Sequence, residues 1–158
     1  MSDIEGFIAE RGSALLRSAW ILTGYTHHAE DLLQTALAKS LGAHARLAND
    51  HKFEAYLRTT MYRTYVSWWR RRSWRSEVPT GSLPEVREPE STVELRLDLM
   101  KALAALPRMQ RAVMTMRYVE DRPVAEVAEA LGISEGTVKK YAHRGCAALR
   151  ESALLQEV

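Results

Sequence analysis

The 158-residue chain has a single cysteine, two phenylalanines and no long apolar run. Cys146 stands alone, which excludes an intrachain disulfide and a thiolate metal cluster and fits a reducing compartment. The apolar runs are only a few residues long, so no membrane span and no stable membrane insertion are expected. The opening residues, MSDIEGFIAERG, are acidic and lack an apolar core, and so do not read as a secretory signal. Catalytic motifs are missing too: there is no HExxH, no paired CxxC, no GxSxG and no phosphate loop. His27 and His28 adjoin Glu30 and Asp31, but adjacent histidines on a helix point in different directions. Glu120 and Asp121 fall between helices, without the frame a carboxylate pair needs. Neither an enzyme, a metal site nor a cofactor is expected.

What the chain does have is 46% apolar residues, enough for a folded protein, and an uneven charge distribution. The overall net charge of +2 divides into −2 over residues 1–50, +6 over 51–76, −4 over 77–100 and +2 over 101–158. A basic block beside an acidic one marks an electrostatic footprint. The basic block ends in WWRRRSWR, Trp68 to Arg75, where three indoles and four guanidiniums crowd into one short stretch. A lipid surface, a nucleic acid or another protein could each engage it.

Apolar spacing predicts helices throughout. The first runs over 4–22, with Phe7, Ile8, Leu15, Leu16, Ala19 and Leu22 inward. The second is capped by Thr26 and turns Ala29, Leu32, Leu33, Ala36, Leu37 and Leu41 inward. The third begins near Lys52, with Phe53, Tyr56, Leu57, Thr60, Met61, Tyr65 and Trp68 on its inner face. Residues 76–91, SEVPTGSLPEVREPES, hold three prolines and a glycine and read as a linker. A second unit starts near Thr92 with a helix that stops before Pro107. Pro107 opens the helix PRMQRAVMTMRYVE. Pro123 starts a short helix through Leu131, Gly132 ends it, and Ser134 caps the last helix. The fold class is therefore all-α: two small helical domains joined by a flexible linker, without sheet or internal repeat.

The strongest local pattern is VAEVAEALGISEGTVKKYAHRGCAAL, which has helix-turn-helix spacing. Val124, Val127, Ala128 and Leu131 line the first helix, Ile133 fills the corner, and Val138, Ala142 and Leu149 line the second. The small Ala128 lets the two helices cross closely. Glu135, Thr137, Lys139, Lys140, His143 and Arg144 point outward, where they can reach bases or phosphates in a major groove.

From about residue 4 to 151 this organisation resembles the extracytoplasmic-function sigma factors, the minimal two-domain members of the bacterial sigma-70 family. AEDLLQTALAKSL is similar to the family helix that binds the RNA polymerase clamp. FEAYLRTTMYRTYVSWWRRR resembles the helix that recognises and melts the promoter, and LPRMQRAVMTMRYVEDRPVAEVAEALGISEGTVKKYAHRGCAALR resembles the promoter-binding unit. The resemblance implies polymerase binding through Asp31, Leu32, Leu33 and Gln34. It implies downstream promoter recognition and melting through Arg58, Arg63, Ser67, Trp69, Arg70, Arg71, Arg72 and Trp74. It implies upstream promoter binding through Ser134, Glu135, Thr137, Lys139, Lys140, His143 and Arg144. Four positions depart from the family pattern: Thr35 replaces a usual acid, Arg63 a common asparagine, and Lys140–Tyr141 the usual serine–arginine pair.

The implied domains are 1–75, binding core polymerase and the downstream element; 76–91, the acidic linker; and 92–158, binding the upstream element. The implied partners are core RNA polymerase and promoter DNA, with room for an anti-sigma factor. The implied setting is the cytoplasm, and the nucleoid when polymerase is bound. In WWRRRSWR the arginines would then meet phosphates and Trp69 and Trp74 exposed bases, with Trp68 in the core. A stand-alone helix-turn-helix repressor, a helical interaction protein that does not bind DNA and a membrane-surface protein are the competing readings.

Overall fold

The computed structural model describes residues 3–47, 49–69 and 90–152, excepting the side chains of 69 and 90–96. Seven α-helices and one π-helical turn make up the described structure, and no strand occurs among the described residues. The chain divides into two compact units, with the boundary between Pro84 and Glu85.

In the first unit, α1 spans Ile4–Thr23, α2 Thr26–His44 and α3 Asp50–Trp69. The Asp3 carboxylate accepts from Gly6 N–H at 2.7 Å and starts α1. Gly24 ends it in the left-handed conformation, φ 79°, which glycine adopts without a Cβ penalty. Thr26 is the first residue of α2, and not its cap as expected. Tyr25 holds the extended cap position without a side-chain cap bond. The turn after Gly24 is so short that the extended position falls one residue earlier. Asn49 accepts from Lys52 N–H at 2.8 Å, at the start of α3.

The three helices pack pairwise around Phe7, Leu15, Leu22, Leu32, Phe53, Leu57, Met61 and Tyr62, all fully buried. A buried Leu or Phe contributes roughly 1.5–3 kcal/mol. Phe7 and Phe53 meet edge to face at 4.9 Å, the geometry their ring quadrupoles favour. Because α3 packs on both other helices, its buried surface is wider than one stripe. It takes in Tyr62 and Arg58 and leaves Tyr56 39% exposed, against the expected inward placement. Ile8 and Leu41 are likewise exposed, and Leu16 and Trp68 half-buried.

In the second unit, α4 spans Glu90–Ala104, α5 Arg108–Met114, α6 Val124–Leu131 and α7 Glu135–Arg150. Most of the expected linker lies outside the described residues, but its last two positions, Glu90 and Ser91, are the first turn of α4. Pro107 caps α5. The expected single helix after it changes pitch and continues as the π-helical turn Thr115–Val119. The widened turn closes with Glu120 N–H donating to Thr115 O at 3.0 Å and Arg122 N–H to Met116 O at 2.9 Å. Arg122 is itself buried, pairing with Glu120 at 3.2 Å, and the Arg117 guanidinium donates to the Arg122 carbonyl. The core holds Leu103, Leu106, Val113, Met114, Met116, Val127 and Val138.

Candidate nucleic-acid interface

The helix-turn-helix is formed by α6 and α7. Val127, Ala128 and Leu131 of α6 are buried with Val138 and Ala142 of α7, whereas Val124, Ile133 and Leu149 are only half-buried. Gly132 ends α6 at φ 68°, and its N–H reaches Ala128 O. The Ser134 hydroxyl accepts from Thr137 N–H at 3.0 Å and lies 2.8 Å from the Thr137 hydroxyl. Ser134 is therefore occupied as the cap of α7.

α7 also packs on α5, so closely that a Cβ on Gly145 would lie 2.5 Å from Met114 Cγ and 2.6 Å from its sulfur. Glycine is the residue this crossing admits. Cys146 pairs with Tyr118, whose phenol is pushed above its ordinary value by that hydrogen bond first and by burial second. With the inner face of α7 so committed, Glu135, Lys139, Lys140, His143 and Arg144 are all exposed, and Thr137 is half-buried. Four basic or imidazole side chains, Lys139, Lys140, His143 and Arg144, thus stand on the outward face of the middle of α7.

The first unit offers a second polar face. Arg63 and Ser67 of α3 are exposed, in helical line with Thr60 and Tyr56. The Arg46 guanidinium sits 5.9 Å from the Tyr56 ring centroid, a cation–π distance. The apolar character of Tyr56 predicts a core position, which its exposure overrules. The spacing 56, 60, 63 and 67, one face at helical period, carries the signal that would have found it.

Arg58 lies elsewhere, inside the unit at 8% exposure. Its Nε bonds Glu54 at 3.0 Å and its Nη1 donates to Ser18 Oγ at 2.9 Å. Arg11 of α1 grips the same carboxylate through two bonds, at 2.6 and 3.1 Å. Burial alone would push the Glu54 carboxyl up, but hydrogen bonds and charges from the two arginines outweigh it and hold the group below its ordinary value. The same carboxylate raises the Arg11 guanidinium. This cluster fastens α3 to α1.

On α2, Asp31 and Gln34 are exposed, while Leu32 and Leu33 are buried, Leu33 at 8% exposure. Asp31 reaches His27 at 3.6 Å on the helix surface. The Trp69 side chain and Arg70, Arg71, Arg72 and Trp74 lie outside the described residues. Among the described residues, no group of three or more His, Cys, Asp or Glu side chains could hold a metal ion, and no helix is long and apolar enough to cross a membrane.

Among the described residues the chain is two helical units, one of them a helix-turn-helix with a basic outer face, an arrangement that fits a DNA-binding protein. Comparison with known proteins makes the class specific. The family described as Sigma-70 region 2 matches residues 7–75, and that described as Sigma-70, region 4 matches residues 96–149. The RNA polymerase sigma-E factor of Streptomyces coelicolor is 40% identical over 158 residues, covering 99% of this chain and 89% of the relative. The sigma-E factor of Streptomyces avermitilis is 42% identical over 154 residues, covering 94% and 84%. The ECF RNA polymerase sigma factor SigL of Mycobacterium tuberculosis is 33% identical over 150 residues, covering 89% and 83%. The chain belongs to the sigma-70 family, as a two-domain sigma factor of the extracytoplasmic-function group. Its role is that of an alternative sigma factor in transcription initiation.

Proposed function

We propose that the two units divide the work of promoter recognition. Residues 1–75 bind core RNA polymerase through α2 and the downstream promoter element through α3. Residues 92–158 place α7 in the major groove of the upstream element. The observation that carries this reading is the outward face of α7, where Lys139, Lys140, His143 and Arg144 are exposed on a helix whose other side holds the buried Val138, Ala142 and Gly145. Cations there neutralise phosphates and set the helix in the groove, and Lys or Arg can also read guanine edges.

On α2, the exposed Asp31 and Gln34 supply polar contacts to polymerase, and Leu32 and Leu33 hold the helix that presents them. On α3, Arg63, Ser67 and the exposed Tyr56 form the described part of a DNA-facing surface. Arg58 acts behind it as a positioning residue. Trp69, Arg70, Arg71, Arg72 and Trp74 extend the basic, aromatic segment, where indoles stack on exposed bases and guanidiniums hold the strand. The protein works without catalysis of its own, in the cytoplasm, and joins the nucleoid with polymerase. An anti-sigma factor would act by covering α2 or α7.

Run-off transcription with purified core polymerase and a pool of genomic fragments tests the reading. Transcripts starting downstream of a shared pair of motifs are expected. DNA binding by the free chain, with no polymerase association and no transcript, would instead make it a stand-alone repressor.

A further inference from the structure

The two glycines of α7 have different explanations. Gly145 is required by the fold, because Met114 occupies the space a side chain would need. Gly136 is not. Among the described residues, a Cβ built there meets only Ser134 Oγ, at 3.9 Å, an ordinary van der Waals distance. Its backbone is not left-handed, so no conformation calls for glycine. Alanine in that position would favour the helix, since glycine loses more backbone freedom on folding. The fold alone therefore does not call for glycine at 136.

Its position supplies a reason. At 3.6 residues per turn, Gly136 lies in line with Lys139, Lys140 and His143, opposite the buried Val138, Ala142 and Gly145. It is the second residue of α7, after the Ser134 cap, and it is exposed. In a helix-turn-helix the N-terminal part of the second helix goes deepest into the groove. A residue there without a side chain lets the helix backbone approach its partner, a recognised use of glycine.

We infer that Gly136 is a clearance residue, the point at which α7 comes closest to the promoter duplex, so that its missing side chain sets how deeply the helix seats and which base pairs its cations reach. This inference rests on the reading of α7 as the recognition helix. DNA is the partner because every exposed side chain in line with Gly136 on the next two turns is cationic or a histidine, which suits phosphate and base edges.

The test uses full-length Gly136→Ala and Gly136→Val, bound to core polymerase, with a promoter duplex recovered from the run-off experiment as probe. Gly136→Ala should melt at the same temperature as the parent or a few degrees higher, about 2–4 °C. Its promoter affinity should fall about five- to hundred-fold, the usual consequence of forcing a methyl group into a close-packed contact. Gly136→Val should lose more, and core polymerase affinity should stay unchanged for both. Opposite movement of stability and DNA affinity is a result that a purely structural glycine does not produce. Undiminished promoter affinity in Gly136→Ala overturns the inference, as does a lowered melting temperature, which would make Gly136 part of the fold. Loss of polymerase affinity would assign the close approach to polymerase and also overturn it. A Lys139→Ala, Arg144→Ala variant separates the levels. If it too binds the promoter normally, α7 is not the recognition helix; if it binds weakly while Gly136→Ala binds normally, only the clearance role fails.

Discussion

At the scale of single residues, the first unit turns on a carboxylate shared between two arginines. Glu54 is charged in the folded protein because Arg58 and Arg11 bond it from two helices. Replacing Glu54 with glutamine removes a carboxylate charge that the largely buried Arg58 bonds. A loss of about 1–3 kcal/mol is expected from urea unfolding. Most of it belongs to Arg58, since the Arg11 side chain is 42% exposed and its pairing is screened by solvent. The sign of the pH effect follows from the lowered folded value of Glu54. Its contribution is complete above the ordinary glutamate value, about 4.3, and is lost as the pH falls through the lower folded value. Unfolding profiles of Glu54→Gln and parent should therefore converge in acid, and parallel profiles down to about pH 3 would show that the arginines do not hold the carboxylate. The i,i+4 spacing of Glu54 and Arg58 is legible in the sequence, but their burial and the contact with Arg11 are not. Arg58 sits in a basic block, on a helix whose family resemblance implies DNA contacts. Its partner Arg11–Glu54 pair joins positions 43 residues apart, beyond any local periodicity.

At the scale of elements, the sequence pattern located the helices well and their faces less well. Gly132 and Ser134 mark the turn and cap of the helix-turn-helix, as the local chemistry demands. The second helix illustrates the weaker part. Leu33 was equally readable as a core residue or as an exposed polymerase contact, and the packing of α2 against its neighbours buries it. Leu33→Asp should accordingly unfold the first unit, costing more than about 3 kcal/mol, and circular dichroism should show lost helix. A variant that keeps its helix and loses only polymerase binding would make Leu33 a contact after all. In the second unit, the crossing of α5 and α7 gives an equally direct test. Helix propensity alone predicts that Gly145→Ala is stabilising. The approach of Met114 predicts the reverse, a loss of about 1–3 kcal/mol as the methionine is displaced. Thermal melting decides between them by sign.

At the scale of the whole molecule, the proposed division of labour predicts separable losses. A Lys139→Ala, Arg144→Ala double variant should bind upstream promoter DNA more weakly and keep its association with core polymerase. Each lost phosphate contact should reduce the slope of log affinity against log salt by about 0.9. Titrations of both partners at several salt concentrations provide the measurement, and equal loss of both affinities would falsify the division. The alternating charge blocks, +6 over 51–76 and −4 over 77–100, are the sequence-level counterpart of this division. They arise from composition, so they were visible before any helix was placed.

The sequence alone determined the all-helical class, the helix-turn-helix and the order of the family motifs. These depend on local chemistry: apolar spacing, a turn glycine, a capping serine and prolines where helices begin. Tertiary structure alone decided how far round each helix the buried side extends. A helix packed on two neighbours buries more than one stripe, so Arg58 and Tyr62 go in and Tyr56 comes out. The structure also shows α5 continuing as a π-helical turn, closed by Glu120 and Arg122 N–H donating back to the Thr115 and Met116 carbonyls. Finally, it gave the two glycines of α7 their separate meanings, since the space beside a missing side chain exists only once the other helix is in place.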